Sequence, residues 1–209
     1  MRPGGATGAA GVPESERGVG GCRYKGGVAD WDEDARAELR AAAHRRDARR
    51  GLAVLGGRPI GPVLQYAGDV VLAALEEALP GADRLARACA EGLTARGGPG
   101  DAELAAELRA ALAGTATPLE DAPVDLGVLG ARLDADPSEG VHVVDLRTGD
   151  IDTDPPPFDT AGGPGRVLTF VPEGPRGTGG GPADEEAQRG RARAWLAAHG
   201  YRPGPRPFL

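Results

Sequence analysis

Between Trp31 and Ala113 the apolar residues recur at intervals of three and four, the period of a helix with one face against a core. "DWDEDARAELRAAAHRR" aligns Trp31, Ala35, Leu39 and Ala42, and it opens with acids, which suit the positive end of a helix. A second, short helix is predicted in "DARRGLAVL", stopped by Gly56 and Gly57. The longest is "PVLQYAGDVVLAALEEAL", with Pro62 in the first turn, where a missing N–H costs nothing, and Pro80–Gly81 as the stop. Val63, Tyr66, Val70 and Leu75 are expected to face inward there. Two more helices follow, one carrying Leu85, Cys89 and Leu93, the other Leu104, Leu108 and Leu112. Each stripe is narrow and needs neighbours on one side only, so residues 29–114 are expected to form a small antiparallel bundle. "AELRAA" occurs at 37–42 and again at 106–111, a coincidence that Ala-rich helices readily produce.

Residues 115–124 lose the periodicity and contain two prolines, the pattern of a linker. A short helix is expected next, capped by Asp125 and buried along Leu126, Leu129 and Leu133. "VHVVDLRTGDIDTD" then alternates with a period of two. His142, Val144 and Leu146 fall on one face, and the Arg–Thr–Gly turn leaves Gly149 free for the left-handed region. "RVLTFV" is a third candidate strand, ended by Pro172. "DEEAQRGRARAWLAAHG" predicts a closing helix anchored by Trp195 and Leu196 and terminated by Gly200. The expected fold class is α+β: a disordered leader at 1–28, the bundle, the linker, a small helix–hairpin–helix module at 125–203 with a flexible Gly/Pro insertion at 155–182, and a tail at 204–209.

Composition limits the core. Leu, Ile, Val and Phe supply 39 of 209 residues, whereas Ala and Gly supply 37 and 35. A buried Leu or Val stabilises by roughly 1.5–3 kcal/mol, and Ala buries far less area. A net charge of −7 with no broad basic field argues against a nucleic-acid footprint, and 23 of the 24 basic residues are Arg, which fits a GC-rich coding genome. Cys22 and Cys89 have no C-x-x-C spacing. With neither a long apolar run nor a signal-like h-region, a cytoplasmic protein is expected, away from the membrane.

The polar residues yield few constellations. Asp150, Asp152 and Asp154 imitate the start of a calcium loop, but Pro155 and Ala161 stand where it needs Gly and Glu, so no metal site is expected. His142 and Asp145 point to opposite faces of a strand, and His44 and His199 lie on separate helices, which leaves no acid–base pair. "GPRGTGGG" lacks the Lys–Ser/Thr of a phosphate loop, and the chain holds two serines in all. No catalytic or cofactor-binding residue is assigned and no cofactor is expected. Arg189 and Arg193, four apart, are the candidate anion-facing surface, on a solvated helix face shared with Glu185 and Glu186.

Asp145, Leu146, Thr148, Gly149, Asp150 and Ile151, with Arg191, Ala192, Trp195, Leu196, Gly200 and Tyr201, carry a resemblance to a bacterial family of unknown function, uncharacterised protein family 0158. The likeness covers the hairpin, the closing helix and "LAVLGGRPIGPVLQYAGDVVLAAL", similar to an N-terminal extension of some members. Family members place an Arg- and aromatic-rich run between hairpin and closing helix; residues 155–182 hold Pro, Gly and one weak strand instead, as in a divergent or internally truncated member. The resemblance implies no reaction. The expectation is a non-enzymatic interaction module whose helical region docks a protein partner. The alternative is a hydrolytic or metal-assisted enzyme working from the acidic hairpin face around Asp145 and Asp150.

Overall fold

The computed structural model describes residues 30–153, 167–174 and 181–205; the expected leader and most of the expected insertion lie outside these. The described chain is α+β, with seven α-helices and five short strands. Helices α1 (Glu33–Arg45), α2 (Ala48–Leu55), α3 (Leu64–Glu76), α4 (Ala82–Arg96) and α5 (Asp101–Ala113) come first. Local chemistry sets several of their ends. The Asp32 carboxylate accepts from the Ala35 N–H at 2.7 Å, the Asp47 carboxylate accepts from Arg50, and Arg46 and Gly97 turn left-handed at the exits. A 3-10 turn at Gly61–Val63, containing Pro62, leads into α3.

The bundle does not consist of single-stripe helices alone. α3 is buried on most of its circumference, through Leu64, Gln65, Ala67, Gly68, Val70, Val71, Ala73 and Ala74, whereas the expected Tyr66 and Leu75 are only partly covered. Small residues make this possible. A Cβ on Gly68 would fall 2.5 Å from Leu104, and one on Gly51 would fall 2.4 Å from Val70. The Gly and Ala content that weakens burial per residue thus lets helices approach closely around a central one.

After α5 the segment expected as a linker contains a strand, β1 (Glu120–Ala122), which pairs in parallel with β5 (Tyr201–Pro203). Helix α6 (Leu126–Leu133) is capped by Asp125, whose carboxylate accepts from Gly127 and Val128. Strands β2 (His142–Asp145), β3 (Ile151–Asp152) and β4 (Val167–Phe170) form an antiparallel sheet in the order β3-β2-β4, so the expected insertion supplies a strand of this sheet. Gly149 turns the hairpin at φ +79, and a Cβ there would fall 2.0 Å from the Pro123 carbonyl. Glycine is needed both for that conformation and for that approach.

Helix α7 (Pro182–Ala198) packs on α6 and β5 and also reaches α3 and α5. Its Ala192 and Leu196 join Leu126, Leu129, Val144 and Phe170 in one core, while other side chains of the helix reach α3 and α5 of the bundle, whose core is separate.

Candidate binding cleft

The contact between α7 and the bundle is built from charge. Arg193, fully buried, donates from Nε to Gln65 Oε1 at 3.1 Å, from Nη1 to Glu107 Oε1 at 3.2 Å, and from Nη2 to Asp69. One turn earlier Arg189 donates to the other oxygen of Asp69 at 3.0 Å and lies 4.7 Å over the Tyr66 ring. Glu186, one further turn back, accepts from the backbone N–H groups of Gln65 at 2.8 Å and Tyr66 at 3.4 Å. These are first-turn donors of α3, which has no cap of its own, so α7 supplies it. Arg96 links Glu186 to Asp101, and Gln65 donates to Asp101 at 2.9 Å. The helices meet closely here: a Cβ on Gly190 would fall 2.0 Å from the Pro99 carbonyl.

Four carboxyls thus meet three guanidiniums, and burial sorts them. At Asp69 burial pushes the carboxyl up, but Arg193 and Arg189 outweigh it and hold the group below its usual range. Asp101 is likewise held low against burial by Arg96 and Gln65. At Glu107 and Glu186 burial wins and the carboxyls are raised; Asp69 adds to the rise at Glu107.

Above this seam opens a cleft of about 950 Å³, with Asp69, Glu107 and Arg189 among its lining residues. The end of α1 forms one wall, and β1, β5 and the start of α6 form the other. Charges pair across and along it. His44 Nδ1 lies 2.6 Å from Asp125 Oδ2, Arg202 Nε donates to Asp121 at 2.6 Å, and Arg46 donates to Glu76. At Asp125 burial pushes the carboxyl up, but the Val128 N–H, Arg189 and His44 together hold it low. Leu72, Val124, Leu126 and Pro203 supply apolar wall between the pairs.

The expected anion-facing surface at Arg189 and Arg193 is corrected by this arrangement. Both side chains turn into the bundle onto Asp69, because an acid stands on the facing helix at the level of both; Glu186 and Glu185 pair with Arg96 and Arg40 instead of forming a solvated ladder with them. Of the hairpin acids, Asp145 serves the turn with its carboxylate. Asp145 accepts from the Arg147 N–H at 2.7 Å, Thr148 Oγ1 accepts from the Asp150 N–H, and Asp150 and Asp152 are exposed. Asp154 lies outside the described residues. Arg191 pairs with Asp134 at the C-cap of α6, Leu196 is buried, Trp195 meets Phe170 edge-on, Gly200 takes a positive φ, and Tyr201 opens β5. The His199 ring lies against Trp195 at a tilt of 41°, and its Nδ1 lies 2.7 Å from the Trp195 carbonyl. His142 is buried against Phe170, with neither ring nitrogen hydrogen-bonded.

Sequence reasoning missed Gln65, Asp69, Asp101 and Glu107. One signal was present: Asp69 is the only charge between Leu64 and Leu75, and Gln65 and Asp69 are four apart, as are Arg189 and Arg193. Among the described residues no three His, Cys, Asp or Glu side chains gather into a metal-holding group, and no described helix is long and apolar enough to cross a membrane.

No family model, curated protein or solved structure matches the chain.

Proposed function

We propose that the chain is a cytoplasmic, non-enzymatic interaction module that holds a protein partner in the cleft between its bundle and its C-terminal half. One observation carries this reading: a space of about 950 Å³ whose wall charges are largely paired with one another and separated by apolar side chains. A surface of that kind suits a polypeptide segment of mixed charge with Leu- or Val-like side chains better than a polyanion or a lipid. In the same reading helix, hairpin and closing helix act as one unit, which presents Asp125, Leu126 and Arg189 to the cleft. Kinship with uncharacterised protein family 0158 is part of the proposal; it rests on the residues of the turn and the closing helix.

Fluorescence anisotropy against an array of labelled peptides of about ten residues, mixing Lys and Glu with Leu and Val, tests it. Leu72→Arg should fill the cleft and weaken any binder at least about tenfold. Val128→Lys, on an exposed position of α6 outside the cleft, should leave affinity unchanged. An array without a binder, or a binder indifferent to Leu72→Arg, would overturn the proposal. So would a divalent-metal-dependent rise in melting temperature that Asp150→Asn abolishes, since that outcome belongs to the hydrolytic alternative.

A further inference from the structure

Strand β4 ends the order β3-β2-β4, so no described strand lies along its far edge. The directions of its backbone groups follow from the ladder. Asp145 donates its N–H to the Asp150 carbonyl, which turns the backbone groups of Asp145 and Val143 toward β3 and, by alternation, those of His142 and Val144 toward β4. Their partners Phe170 and Leu168 therefore direct N–H and C=O to β2. Val167, Thr169 and Val171 direct theirs to the open edge.

The side chains of these three residues share the sheet face that points away from the core. Val167 and Val171 are 41 % and 55 % exposed, and Val141, opposite Val171 one step beyond the last paired residues of β2 and β4, is 51 % exposed. Among the described residues only one other large apolar side chain, Val128, is as open, so three of four lie on this one face. The run Val167–Val171 contains no charge and no proline, the devices by which an edge strand is usually protected from pairing.

We propose that a second copy of this chain occupies that edge, β4 against β4, antiparallel about a two-fold axis at Thr169. Among two-fold registers of the run, this one pairs all three outward-directed residues with one another. Thr169 meets Thr169 as a doubly hydrogen-bonded pair, Val167 meets Val171, and Leu168 meets Phe170, so every outward N–H and C=O of the run finds a partner. The two sheets become one of six strands, and the exposed valines join into a continuous β-branched strip. Such an interface has the two-fold symmetry most homodimers use, and its small size makes it concentration-dependent. β4 does not line the cleft, so the inference stands apart from the function proposed above.

Sedimentation velocity on the full chain from about 1 µM to about 1 mM should show the mass rising from one chain toward two. Thr169→Lys sets two like charges side by side on the axis and should hold the mass at one chain throughout, with the melting temperature at the lowest concentration unchanged. In a Cys22→Ser background, Thr169→Cys should cross-link the chain to itself under mild oxidation, a readout that does not require the Lys variant to fold. A single-chain mass at the highest concentration, a dimer that Thr169→Lys leaves intact, or no cross-link at 169 would each overturn the proposal.

Discussion

Arg193 on α7 and Asp69 on α3, 124 positions apart in the chain, form a buried ion pair that ties the closing helix to the centre of the bundle. Their neighbours extend it: Arg189 takes the second Asp69 oxygen, and Glu107 takes a second Arg193 nitrogen.

Removing one partner leaves the other charged and buried, which costs more than the intact pair contributes. Asp69→Asn is expected to destabilise by about 3–5 kcal/mol in urea denaturation at neutral pH. The deficit should narrow in acid. Asp69 is held low in the folded state, so its contribution is complete above the ordinary carboxyl value and disappears as pH falls through the lower folded one. A deficit independent of pH would show that Asp69 acts by packing alone.

Gly190 faces the turn between α4 and α5 with no room for a methyl group. Gly190→Ala should force α7 off Pro99 and cost about 1–3 kcal/mol by overpacking, although Ala is the better helix former by up to about 1 kcal/mol. A stabilised variant, measured by thermal melting, would mean that α7 does not sit this close.

His142 is buried against Phe170 with neither ring nitrogen hydrogen-bonded, and its Nε2 lies 3.7 Å from the Glu139 carboxylate. Burial, and next Arg132 on α6, push the imidazole below its ordinary value of 6.5, with Glu139 opposing. The unfolded state therefore binds a proton first. Stability is full above the ordinary value and falls as pH drops through it toward the lower folded one. His142→Phe should keep the stack and flatten the fall in melting temperature between about pH 8 and pH 5. An identical slope in the variant would locate that acid sensitivity elsewhere.

The helices were legible because their ends and stripes are local: acids open α1, Asp125 caps α6 where the spacing says it should, and Gly149 turns where a hairpin requires it. Three features were not. The β1–β5 pair joins three-residue strands 81 positions apart, one containing Pro203, and no local period marks segments so short. The burial of α3 on nearly all sides follows from glycines on its neighbour and on itself that admit Val70 and Leu104, a fact of packing between helices. The polar seam was hidden because Arg189 and Arg193 with Glu185 and Glu186 imitate a solvated face; only the position of Asp69 on the facing helix turns them inward.

By tying the bundle to the C-terminal core, α7 is expected to make the two cores one cooperative unit, and the chain's two tryptophans can test it. Trp31 belongs to the bundle core, and Trp195 packs on the other. Urea unfolding of Trp31→Phe and Trp195→Phe, each followed by its remaining tryptophan and normalised to its own far-UV circular dichroism, should give coincident fluorescence and dichroism curves in both variants. A Trp195 transition that runs ahead of or behind the helical signal of the bundle would contradict that expectation.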